Sequence, residues 1–178
     1  SQKNKSDRSI QISQEDLDFL VASRADGVSS AFDQVMEKRG FLNWVNDIRS
    51  KLSNSLGQPS DAPRRIDLRK QVLEKIERET HAELWGEFHC NLALDLIENP
   101  EGIRAENIEQ AILHYNKSLE VFTRQKFPKE WALVQNNLAQ AYLFRVQGEK
   151  SLNSEQAILH YNKSLGVFKH QSFPKEWA

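Results

Sequence analysis

The sequence predicts an all-α chain of repeated helix pairs, and three observations carry that expectation. First, one block is written twice: residues 110–132 (QAILHYNKSLEVFTRQKFPKEWA) and 156–178 (QAILHYNKSLGVFKHQSFPKEWA) differ at four of 23 positions, at a constant offset of 46 residues. The differences are Glu120/Gly166, Thr123/Lys169, Arg124/His170 and Lys126/Ser172. Second, a diverged copy lies upstream in the same register. Trp85, Trp131 and Trp177 are 46 apart, as are Asn91 and Asn137, Leu92 and Leu138, Ala93 and Ala139, Ile66 and Ile112, and Leu73 and Leu119. Third, apolar residues recur at helical spacing and no stretch alternates with period two, which argues for helices and against a sheet. Self-similarity at a fixed period of about 20–50 residues marks a repeat architecture. The copies read as 64–109, 110–155 and a partial one at 156–178.

In chain order, residues 1–12 are polar and are expected to fray as a tail. Residues 13–60 form an expected helical N-terminal cap or degenerate repeat. Ser13 begins a helix with an acid at its third position after the cap, Asp16, and Leu17, Leu20 and Val21 follow at helical spacing. A second helix is expected over 28–39, stopping at Gly40, and a third over 41–52, stopping near Gly57. Trp44 stands 41 residues before Trp85, so this segment is out of the 46-residue register. The repeats occupy 61–178. Over 106–125, Ile108, Ala111, Ile112, Tyr115, Leu119 and Phe122 fall on one stripe, opposite Glu109, Asn116, Lys117 and Glu120. Pro128 suits the first turn of the next helix, where its missing N–H would be unpaired anyway. That helix is expected over 128–147 with Trp131, Val134, Leu138, Ala141 and Tyr142 inward and Gly148 as its stop, followed by a turn at 149–153.

Composition narrows the function. The 178 residues carry 24 basic and 25 acidic side chains, a net charge of −1, which leaves no footprint for nucleic acid or an anionic membrane. No apolar run is long enough to span a bilayer. The single cysteine, Cys90, excludes an internal disulfide and fits a reducing, cytoplasmic setting. No glycine-rich phosphate loop, Gly-x-Ser-x-Gly or zinc-ligand spacing is present, so neither catalysis nor a cofactor is expected. His81 and His89 are eight residues apart, about 12 Å along a helix, too far to share one ion. His114 and His160 are equivalent positions of the duplicated block, read as surface or packing residues.

Leu138-Ala139-x-x-Tyr142 followed by Ala157-x-x-x-Tyr161-x-x-Ser164 resembles the small–large–small packing series of the tetratricopeptide repeat (TPR). The long period, with Phe-Pro-x-x-Trp-Ala and Asn-Asn-Leu-Ala-x-Ala-Tyr, is similar to TPR arrays common in bacteria and to kinesin-light-chain repeats. The resemblance covers 64–178 and implies a right-handed α-solenoid of antiparallel helix pairs with a concave groove, used for protein–protein interaction as a scaffold or regulatory sensor. In many such domains the asparagine matching Asn91 and Asn137 bonds the backbone of a bound peptide; a hydrogen bond between stacked helices is the other reading. Leu133, Asn136, Gln140 and Phe144 stand outside the packing stripe, with counterparts Glu87, Cys90, Leu94 and Glu98 one period earlier. This mixed apolar and amide lining suits an extended peptide or a partner helix; Leu133 and Phe144 packing on the next repeat is the alternative. Cys90 and Asn136 occupy an expected basic position of the carboxylate clamp, which argues against that clamp. Similar bacterial arrays precede effectors such as CHAT-type proteases, so a regulatory segment of a larger enzyme is the second reading, and self-association of the repeats a third.

Overall fold

A computed structural model describes residues 28–54 and 58–172, with side chains for 37–54 and 58–168. Among the described residues the chain is wholly helical, with six α-helices, one 3-10 turn and no strand. The expected helix from Ser13 and the last residues from Phe173 lie outside them. The chain divides into two units, residues 1–50 and 51–178.

Helix α1 spans Val28–Ser53 without interruption. The expected break at Gly40 is corrected here. A glycine inside a helix costs about 1 kcal/mol relative to alanine, which weakens a helix without ending one. It is flanked by Met36, Glu37, Lys38, Arg39 and Leu42, good helix formers that outweigh it. Val45 and Ile48 are buried, and the Phe41 and Trp44 rings lie 6.0 Å apart.

The second unit opens with a 3-10 turn at Pro59–Asp61 and continues through α2 (Ala62–Leu73), α3 (Ala82–Glu98), α4 (Arg104–Leu119), α5 (Pro128–Phe144) and α6 (Lys150–Ser172). Each helix packs on the next, and α3 also touches α5. The repetition holds in the helix boundaries. Helices α3 and α5 begin 46 residues apart and end 46 apart, α4 and α6 begin 46 apart, and α2 and α4 end 46 apart. The loops repeat as well. Gly102 and Gly148 take left-handed backbone with φ of 78° and 80°, which an L side chain adopts only at a cost. Five residues later, Asn107 donates its side-chain N–H to the Glu101 carbonyl at 2.8 Å, and Asn153 donates to the Gln147 carbonyl at 2.9 Å.

These loops move the expected boundaries. Helix α5 ends at Phe144, not at 147, because the chain must leave the helix to reach the left-handed turn at Gly148. Helix α6 begins at Lys150, so Asn153 lies inside a helix whose entry it clamps. Helix α4 ends at Leu119, and Phe122 follows on the turn, buried with its ring 5.4 Å from that of Phe127.

The core follows the stripe expected from the periodicity except at Trp131, which is half-buried outside the cluster under Arg124. Ile108, Ala111, Ile112 and Tyr115 of α4 meet Leu92, Ala93 and Leu96 of α3 and Val134, Leu138 and Ala141 of α5. Each large side chain buried this way contributes about 1.5–3 kcal/mol. The alanines among them are fully buried, and their small size lets neighbouring backbones approach. Gly86 also leaves little room: a Cβ there would stand 3.2 Å from the Phe122 ring.

Candidate functional site

The residues predicted to bind a partner fall on α3 and α5. On α5, Leu133, Gln140 and Phe144 are exposed while Asn136 and Asn137 are half-buried. Spacings of three and four residues align Leu133, Asn136 or Asn137, Gln140 and Phe144 along one side of the helix. Phe144 lies under the Arg104 guanidinium, 5.6 Å from the ring centre. On α3, Leu94 is exposed and Glu87 and Asn91 are half-buried. The Asn137 carboxamide oxygen accepts a long bond, 3.4 Å, from Asn136. The Asn91 carboxamide has no hydrogen-bond partner among the described residues.

Two counterparts on α3 depart from the lining. Cys90 is buried in the core, and that burial pushes its thiol up to about 11, which keeps it protonated and unreactive. Glu98 is held by Arg65, Nη2 to carboxylate oxygen at 2.7 Å. Two clefts lie elsewhere. One of about 560 Å³ is lined by Lys70, Leu96, Glu106, Gln110 and His114, and another of about 460 Å³ by Arg78, Glu83, Glu120 and Phe127.

A pair of buried polar junctions escapes the sequence reading. Between α3 and α4, His89 Nδ1 and His114 Nδ1 stand 2.8 Å apart with rings stacked at 4.9 Å. One ring must donate and the other accept, so the two cannot both be charged. Burial, joined by the facing His114 and Lys117, lowers His89 to about 3. Burial and the nearby Lys117 and Lys70 lower His114 to about 4. Between α5 and α6 the equivalent contact runs from His160 Nδ1 to the Gln135 carboxamide oxygen at 2.5 Å, with the Tyr142 ring stacked 5.5 Å from His160. Burial, then Lys163, lowers His160 to about 4. The readable signal was the offset itself, which aligns His89 with Gln135 and His114 with His160.

A charged cluster ties α2 to α3. Asp95 is buried and receives Arg65 Nε at 2.6 Å and Arg69 Nε at 2.5 Å. Arg65 also donates to the Gln58 carbonyl at 3.0 Å. One period later the same positions hold Ala111, Tyr115 and Ala141, all buried, so an ionic contact at one junction is apolar at the next. Arg78 sits 6.0 Å from the Trp85 ring centre, and Arg124 sits 5.8 Å from that of Trp131, a repeated cation–π contact. Among the described residues no three His, Cys, Asp or Glu side chains are grouped to hold a metal ion. No helix is long and apolar enough to cross a membrane among them.

No family model, no curated protein and no solved structure matches the chain.

Proposed function

We propose that residues 58–172 form a right-handed α-solenoid of TPR type that works as a protein–protein interaction module, holding a peptide or a partner helix along the outer side of α3 and α5. The observation that carries this reading is the composition of that side. Leu94, Leu133 and Phe144 are exposed beside the half-buried carboxamides of Asn91 and Asn137. Exposed apolar side chains flanked by amide donors and acceptors suit an extended backbone, whose N–H and C=O groups pair with a carboxamide while its side chains cover the leucines. The groups at the helix junctions fit this reading: Cys90 is buried and protonated, and His89, His114 and His160 are neutral and occupied there.

The test compares affinity capture by the 178-residue chain with capture by Asn91→Ala/Asn137→Ala, checked by circular dichroism. The expected result is a protein recovered with the natural chain and lost with a variant that melts within a few degrees of it. A large fall in melting temperature would assign the asparagines to helix stacking instead. Equal capture by both would remove this side of α3 and α5 as the binding surface.

A further inference from the structure

Helix α6 repeats α4 in sequence and does not repeat its burial. Residues 110–119 and 156–165 are identical, QAILHYNKSL. Ile112 is 8% exposed and its equivalent Ile158 is 59% exposed; Phe122 is 7% exposed and Phe168 is 41%. Leu119 packs against the core while Leu165 is exposed. Because the residues are the same, the difference lies in what covers them. On α4 the cover is α5, whose Val134, Leu138 and Ala141, with Phe127 and Tyr142, share one core cluster with Ile112 and Phe122.

Two further comparisons separate this face from ordinary surface. Leu113 of α4 stays 48% exposed with α5 in place, and its equivalent Leu159 is 45% exposed, so that side of the helix is solvent in both copies. The large changes, at Ile158, Leu165 and Phe168, fall on the side that α5 covers on α4. The backbone changes with it: α4 stops at Leu119 and the chain turns beneath α5, whereas α6 runs on to Ser172. The covering pattern also begins again in the sequence, since Phe173 to Ala178 repeats Phe127 to Ala132 letter for letter.

We infer that the Ile158, Leu165 and Phe168 face of α6 is a docking site for an amphipathic helix with the α5 pattern, Phe-Pro-x-x-Trp-Ala-x-Val-x-x-x-Leu-Ala-x-Ala-Tyr. Continuity with the α4–α5 interface defines this occupant. The same apolar stripe, offset by one period, requires the same complementary stripe: an aromatic at the entry, a branched residue one turn on, then leucine and small residues that let the backbones approach. The site is separate from the α3 and α5 side proposed to hold a peptide, and neither depends on the other.

A synthetic fluorescent peptide with the sequence of residues 127–147, titrated with the 178-residue chain and followed by anisotropy, tests this. Saturable one-to-one binding is expected. Ile158→Glu should weaken it about tenfold or more, while Leu159→Glu leaves it unchanged. Ile158 is exposed, so its variant keeps the helical circular-dichroism signal. A peptide carrying Leu138→Glu should fail equally and requires no change in the protein. Absence of binding, or binding indifferent to Ile158→Glu and to the altered peptide, overturns the proposal. So does a concentration-dependent dimer of the chain alone that Ile158→Glu dissociates, since a second copy would then be the occupant.

Discussion

His89 and His114 show what one junction demands of its residues. Both rings are held neutral, at about 3 and about 4, against an ordinary histidine value of 6.5. Between pH 6.5 and about 4 the unfolded chain binds protons that the folded chain does not. Stability therefore falls as pH falls through that window and is unaffected above it. The lysines facing the pair, Lys117 and Lys70, act in the same direction. His89→Gln imports the residue found at the equivalent position, Gln135, and leaves His114 a carboxamide oxygen to bond. The melting temperature of the variant should drop less than that of the natural chain between about pH 7.5 and about pH 5, with His114 and His160 supplying the remainder. An equal drop in both would mean the pair is not the sensitive group. The Asp95 cluster yields a second residue-level expectation. Asp95→Ala takes the shared carboxylate from Arg65, which keeps Glu98, and from Arg69, and should cost about 3 kcal/mol. Combining it with Arg65→Ala and Arg69→Tyr reproduces the downstream junction and should cost less than the single change, measured by urea unfolding.

At the scale of elements, the loops carry the repeat as firmly as the helices do. The α3–α4 and α5–α6 connections share a left-handed glycine and an asparagine that bonds the carbonyl one residue before it. Gly148→Ala forces a Cβ into that conformation and should cost about 1–2 kcal/mol in a thermal melt. Gly102→Ala should cost a comparable amount, because the backbone is the same. A much smaller effect at either would show that the turn can relax. Helix α5 is tied back at its end as well: Arg145 holds the Glu109 carboxylate with two bonds of 2.7 and 2.9 Å. Helix α1 makes the contrary point. A helix is not ended by a glycine alone, since its neighbours hold the ladder on both sides.

Across the second unit, contacts mainly join successive helices, and α3 also touches α5. In such a chain local stability depends on how many neighbours an element has. Helix α4 lies between α3 and α5; α6 has α5 on one side and an exposed apolar face on the other. Amide hydrogen exchange should therefore be slowest in α3, α4 and α5 and fastest in the part of α6 beyond Leu165. Uniform protection along α6 would contradict this. The near-neutral charge, −1, adds no long-range repulsion that would alter the order.

The sequence by itself determined the helical class, the 46-residue register and the inward stripe, because spacing of apolar residues is a local property that each helix carries within itself. It also marked Leu133, Gln140 and Phe144 as outside that stripe, and they are exposed. The packing decided the rest. His89 meets His114, and Asp95 meets Arg65 and Arg69, across helix pairs whose facing residues are far apart in the chain. Ile112 and Ile158 sit in identical segments, and one is core while the other is surface. Residue type sets what a position prefers, but burial depends on a neighbour, and the neighbour is supplied only by the fold.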